Sequence, residues 1–251
     1  RIIDAHSHIG QLMGFYTPKT SLESMISLMD ATGIEKVIAT HLECLFNDVK
    51  SGNQKLRHAI MEYPERIMGY CTVNPWDSDE MICELDKNLH IPGFVGIKIH
   101  PKAHGCPLNH DGYIPVWEYA DEYNLIVLAH TWWGDPTSTP SYFHDILEKY
   151  SKMKLLLGHS GGTFQGHREC YELAAGYPNV YLDICGCEFS CTWLSEIVRE
   201  VSYSKVVFGT DQVFHDPRYL LGRVMFSDIP EEAKAAILGG NISSLLDGLK
   251  K

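Results

Sequence analysis

Short apolar runs alternate with helix-period stripes from one end of the chain to the other. The runs at 2–8, 36–40, 67–73, 96–100, 125–130, 154–159, 180–184 and 206–211 are β-rich or apolar, and each predicts a strand. Between them lie amphipathic stripes. Leu22, Met25, Ile26 and Met29 keep the i, i+3, i+4, i+7 spacing of one helix face. So do Phe143, Ile146, Leu147 and Tyr150, and again Leu194, Ile197, Val198 and Val201. Thr20 with Glu23 reads as a capping box and Gly33 as the stop of the first helix. Asn241 is the expected cap of the last helix, whose apolar face is Ile242, Leu245, Leu246 and Leu249.

The strand–helix unit recurs at roughly 30 residues, the length of one βα step. Eight right-handed steps close naturally into a barrel. The competing architecture, an open doubly wound sheet, usually carries a Gly-rich phosphate turn after its first strand. The turn at 7–11 has no such glycine pattern. The expectation is an α/β chain forming a single (β/α)8 TIM barrel over 1–251, a size usual for that fold. Nothing Pro/Gly/Ser-rich or low in complexity breaks it into further domains.

Five of the runs end in residues that bind divalent metal: His6 and His8, His100, His130, His159, and Asp211. Strand ends are where a parallel barrel gathers its chemistry. Side chains alternate along a strand, so His6 and His8 share a face, with Asp4 on the same parity. A lone His-x-His is often a surface coincidence, and a lone strand-end histidine is more often a core residue. Distant segments supplying them together with a Gly-Thr-Asp at 209–211 point to one metal centre. Imidazoles and a carboxylate suit Zn²⁺ first, and also Mn²⁺, Fe²⁺ or Co²⁺. Such a shell leaves room for a water whose pKa the ion lowers. Asp211 is placed to take its proton.

On the fourth strand Val95, Ile97 and Ile99 should face the helices, so Lys98 and His100 should face inward. A buried lysine needs a partner; Asp4 or Asp183 could pair with it, or it could contact substrate. Trp132 and Trp133 follow His130 and form either lid packing or an apolar wall for a planar substrate. Asn74 offers a hydrogen bond to substrate or a turn before Pro75. Arg168, in the loop after His159, and Arg218, after Asp211, offer clamps for a substrate carboxylate or simply solvated charge. His104, Cys106 and His110 could hold a second ion, but loop Cys and His more often pack or solvate. Cys185, Cys187 and Cys191 lack the paired CxxC of a zinc ribbon and read as reduced packing thiols.

Charge and composition narrow the partners. The formal net charge is −11, which argues against nucleic acid and other polyanions. No apolar run approaches the roughly 20 residues of a membrane span, and no signal peptide is visible. Eight cysteines without scaffold spacing suggest reduced thiols and a cytoplasmic setting. The expected partner is a small-molecule substrate; homo-oligomerisation is left open.

The order of motifs resembles the amidohydrolase superfamily, and most closely its amidohydrolase-2 branch of metal-dependent hydrolases and aminocarboxymuconate-semialdehyde-decarboxylase-like enzymes. The matching pieces are Ile-Asp-Ala-His-Ser-His at 3–8, Val-Asn-Pro at 73–75, Gly-Ile-Lys-Ile-His-Pro at 96–101, Leu-Ala-His at 128–130, Gly-His-Ser-Gly-Gly at 158–162, Gly-Thr-Asp at 209–211 and Ile-Leu-Gly-Gly-Asn at 237–241. The resemblance implies that His6, His8, His130 and Asp211 bind one metal, that His159 is a catalytic histidine, and that Asp211 is also the proton acceptor. Binuclear relatives bridge two ions with a carboxylated lysine on this fourth strand; the reading taken here is one ion, with Lys98 and His100 among the substrate contacts. The expected activity is hydrolysis of a small-molecule amide, ester or lactone. The alternative on the same scaffold is a decarboxylase or hydratase of an unsaturated or aromatic carboxylate. A TatD-like nuclease shares several motifs but typically has a Glu where this chain has Lys98. A non-catalytic metal sensor would need no open position for water.

Overall fold

Alternation is the reason the eight runs become strands: odd and even residues meet two different apolar environments. In the computed structural model, which describes residues 1–12, 14–46, 48–186, 190 and 192–249, they are β1 (Ile3–Ile9), β2 (Lys36–His41), β3 (Ile67–Thr72), β4 (Phe94–Ile99), β5 (Ile126–His130), β6 (Lys154–Gly158), β7 (Val180–Asp183) and β8 (Val206–Val207). All neighbours pair in parallel, in the order β1 to β8. The ring closes where Ala5 N–H donates to Phe208 O at 2.8 Å and Asp211 N–H to His6 O at 2.8 Å. The fold is the expected (β/α)8 barrel.

Two apolar clusters follow from the alternation. Ile38, Ile126, Leu128, Leu156 and Val207 fill the barrel interior with Tyr70, and Ile242 and Leu245 of the last helix join that cluster. Val37, Val127, Leu155, Leu157 and Leu182 belong to the outer cluster, against the helices. Burial of this kind stabilises by roughly 25 cal/mol per Å² of apolar surface.

Two bulges change the expected parity. Between Asp4 and Ser7, β1 spends three steps where β2 spends two. Ile3 and Ala5 therefore lie in the inner cluster, while His6 and His8 beyond the bulge turn to the site. Asp4 does not share their row, contrary to the simple alternation. On β4 the register slips between Phe94 and Gly96. Val95 is the extra residue; it packs on the inner cluster and not on the helix face with Ile97 and Ile99.

Other boundaries shift for local reasons. The first helix, Leu22–Thr32, is capped by Ser21, which accepts from Ser24 N–H, and not by Thr20; Gly33 ends it at φ 73° as expected. Asn241 is no cap, because helical turns run without a break from Glu231 into it. Its Nδ2 instead donates to the carbonyls of Tyr203 and Val206, both at 2.7 Å. β8 stops at Val207, short of the expected 211, as the chain turns back onto β1.

Asp4 is the clasp of that closure. It is fully buried, and its carboxylate accepts from His6 N–H and Thr210 N–H, both at 3.0 Å, and from the Thr210 hydroxyl. Burial raises its pKa to about 7. Asp4→Ala strands these buried donors, so it should destabilise the barrel by about 2–4 kcal/mol. Urea unfolding would check this; a change within about 0.5 kcal/mol would remove Asp4 from the closure.

Candidate metal centre

The strand ends bring three candidate ligands together. Ligand atoms of His6, His8 and Asp211 all lie within 4.8 Å of one another. His8 Nε2 is 3.0 Å and His6 Nε2 3.8 Å from Asp211 Oδ1. Asp211 sits at φ 56° and His159 at φ 62°, a region that side chains other than glycine seldom adopt. Backbone held there at strand ends marks geometry imposed by the fold, at about 1–3 kcal/mol each.

The rings are fixed from behind. His6 Nδ1 donates to Asp183 Oδ2 at 2.7 Å, which leaves Nε2 as the acceptor. Asp183 is fully buried and also accepts from the backbone N–H of Cys185 and His159. Gly209 is required beside it, because a Cβ there would stand 2.2 Å from Asp183 Oδ1. Burial, then Lys98, pushes His6 well below its ordinary pKa; burial also lowers His159, and burial with His100 lowers His130. These rings are neutral, the form that ligates metal. Burial alone would raise Asp211, but the hydrogen bond from His8 and the neighbouring histidines bring it below the usual carboxylate range. Two imidazoles and a carboxylate within 4.8 Å of one another fit a borderline divalent ion.

His130, expected as a fourth ligand, falls outside this group among the described residues. Its ring stacks on His100 at 3.9 Å and 11°, and Trp132 lies parallel to it at 6.3 Å and 7°. His159 stands nearly perpendicular to both His130 and Trp132. Parallel and stacked, the three rings form a short aromatic column, with the Phe46 ring edge-on to His100. Trp132 is held close to the backbone of the β6 loop: a Cβ on Gly162, at φ 70°, would meet its ring at 2.3 Å.

Lys98 is fully buried, as its inward parity requires, but it forms no salt bridge with Asp4 or Asp183. Its Nζ lies 3.0 Å from His6 Nε2. Burial lowers its pKa to about 8. His100 Nδ1 caps the turn that follows, accepting from Ala103 N–H at 3.3 Å. Asn74 takes its turn role, its Oδ1 accepting from Trp76 N–H. Arg168 is not in a loop at the mouth. It lies in the helix Phe164–Gly176 and pairs with Glu200 at 2.6 Å. Arg218 likewise pairs with Asp216.

His104 bonds Tyr113 and His110 caps Gly112, so the loop after β4 gathers no second ligand set among the described residues. Cys187 and Cys191 lie outside the described residues. Cys185 is described, and it is no mere packing thiol: its Sγ touches His6, His159 and Asp183. The sequence reading missed the roles of Asp183 and Cys185. Val180 and Leu182 face outward, so parity placed Asp183 on the inward row at a strand end. His215, 3.8 Å from Asp211 Oδ2, was also missed. The six described cysteines are free, and no described helix is long and apolar enough to cross a membrane.

Comparisons with known proteins converge on one group. The family described as amidohydrolase matches residues 3–247. The chain is 22% identical over 279 aligned positions to a gamma-resorcylate decarboxylase from Polaromonas sp. (strain JS666), covering 88% of this chain and 85% of that protein. It is 21% identical to a 2-amino-3-carboxymuconate-6-semialdehyde decarboxylase from Dictyostelium discoideum, over 77% of this chain and 65% of that one. The solved dihydroxybenzoic acid decarboxylase of Polaromonas sp. JS666, with bound manganese and the inhibitor 2-nitroresorcinol, superposes with a TM-score of 0.81 at 18% identity, covering 98% of this chain and 96% of that one.

Proposed function

The chain belongs to the amidohydrolase family, and from that membership we propose that it is a metal-dependent decarboxylase of a small aromatic or unsaturated carboxylate. The hydrolysis expected from the motifs finds no support in the relatives compared, whose names are those of decarboxylases; the lyase alternative does. What carries the reading is the pairing of a two-histidine, one-carboxylate set with a stacked aromatic column at the same end of the barrel. A planar ring can meet the edges of that column or extend its stack, and the ligand set suits the ring's polar edge.

A divalent ion held by His6, His8 and Asp211 would supply Lewis acidity towards the substrate's oxygens. Manganese suits these donors, as zinc does. Lys98, buried at the centre without a carboxylate partner, offers its amine to the substrate carboxylate. Asp211 is the proton carrier by elimination. Asp4 and Asp183 are fully buried and spend their oxygens on the backbone and on His6, whereas Asp211 keeps 12% side-chain exposure. It takes a proton from the entering substrate's hydroxyl and hands it to the ring carbon bearing the carboxyl group. The carbon–carbon bond then breaks, its electron pair restores the ring's conjugation, and CO₂ leaves. His159 Nε2, which has no hydrogen-bond partner among the described residues, stands by to hold the charge that develops on oxygen.

The test is product analysis. Manganese-loaded protein is incubated with gamma-resorcylate and related hydroxylated aromatic acids, and separately with aryl esters, amides and lactones. Release of one CO₂ per substrate consumed is expected, with no ester or lactone opening. Hydrolysis without CO₂ would return the assignment to the hydrolases.

A further inference from the structure

Four polar atoms crowd together on the Nδ1 side of His6. Cys185 Sγ lies 3.0 Å from His6 Nδ1, 3.2 Å from His159 Nδ1 and 2.9 Å from Asp183 Oδ2. Asp183 Oδ2 is itself 2.7 Å from His6 Nδ1. All four residues are buried. Hydrogens are too few for these contacts. The thiol carries one, and each Nδ1 carries at most one, against four close approaches. If His6 and the thiol both donate to Asp183, the contact between Cys185 Sγ and His6 Nδ1 has no hydrogen to hold it. A cation held by Cys185 Sγ, His159 Nδ1 and His6 Nδ1, which lie within 4.8 Å of one another, would replace the contacts between them.

We propose that Cys185 Sγ, His159 Nδ1 and His6 Nδ1 form a second cation site, selective for thiophilic divalent ions such as Zn²⁺ or Cd²⁺. One sulfur and two imidazole nitrogens make a three-ligand set of zinc type, with the Asp183 carboxylate beside it to offset the ion's charge. Bonds of about 2.3 Å to sulfur and about 2.0–2.1 Å to nitrogen give tetrahedral edges of roughly 3.3–3.6 Å, so the atoms must spread by roughly half an ångström to admit the ion. The ion takes the place of the thiol proton, which is released to solvent. Hard ions such as Mn²⁺ gain little from a thiolate and stay with the oxygen- and nitrogen-rich set. His6 belongs to both sets, and a neutral ring has only one lone pair to give. Filling the thiolate site therefore withdraws His6 from His8 and Asp211, and His159 from the substrate. Thiophilic ions should be antagonists where Mn²⁺ is the activator; that consequence rests on the decarboxylase reading, whereas the site itself does not.

The experiment is a Cd²⁺ titration of the Mn²⁺-loaded protein, followed by thiolate-to-cadmium charge-transfer absorbance, in the wild type and in Cys185→Ser. The wild type should show a saturable band that Cys185→Ser lacks, with Cd²⁺ binding at least about 100-fold weaker in the variant. Anomalous diffraction from cadmium-treated wild-type crystals should place an ion within bonding distance of Cys185 Sγ, a readout that does not depend on the variant folding. An unchanged band in Cys185→Ser, or cadmium bound elsewhere with Cys185 untouched, would overturn the site. Neither readout needs a substrate, so its failure is distinguishable from failure of the decarboxylase assignment.

Discussion

Asp211→Asn should leave the barrel folded and lower turnover by at least about a thousandfold. The side chain has two duties, and asparagine fails both. It cannot carry a proton, and general acid–base catalysis of this kind contributes roughly 10²–10⁴ in rate. It also replaces an ionised ligand by a neutral amide beside His8 Nε2, 3.0 Å away. The fold should tolerate the change because Asp211 lies at φ 56°, and asparagine is among the residues that accept that region most readily. Steady-state turnover beside a thermal melt checks both halves. A variant melting like the wild type and turning over within tenfold of it would strip Asp211 of its proton role.

Removing either histidine of the first strand should have an effect of similar size, seen first in metal content. His8→Ala leaves His6 and Asp211 as the only described ligands of the gathered set, and stoichiometric Mn²⁺ should be lost on dialysis. Asp183→Asn tests the support behind His6. It weakens the hydrogen bond that fixes the ring's tautomer, so Mn²⁺ affinity should fall by about 10–100-fold without vanishing. Isothermal titration with Mn²⁺ separates the two. Equal affinity in wild type and His8→Ala would place the ion elsewhere.

The barrel was legible because alternation and the 3.6-residue stripe are written directly in apolar positions. Ile126, Leu128 and Leu156 against Val127, Leu155 and Leu157 show the two faces as plainly in the sequence as in the packing. The residues gathered at the candidate site were legible because His6, His8 and Asp211 are rare residue types at the ends of apolar runs. What escaped was anything that depends on a break in the period. The bulge in β1 moved Asp4 off the histidine row and made it a clasp for Thr210. The bulge at Val95 had the same origin. Arg168 looked like a loop residue because the β6 turn is short; the helix starting at Phe164 carries it away to Glu200. Asp183 and Cys185 were hidden for another reason: their roles arise from partners on β1 and after β6 that sequence spacing does not bring together.

The most direct measurement is a crystal structure of the protein grown with Mn²⁺ and a nitro-substituted phenol as an inert mimic of a hydroxylated aromatic carboxylate, with data collected at the manganese edge. One anomalous peak is expected, with His6 Nε2, His8 and Asp211 each about 2.0–2.3 Å away, and with the inhibitor's ring against the column of His100, His130 and Trp132. A peak remote from these residues, or an inhibitor seated away from that column, would contradict the account.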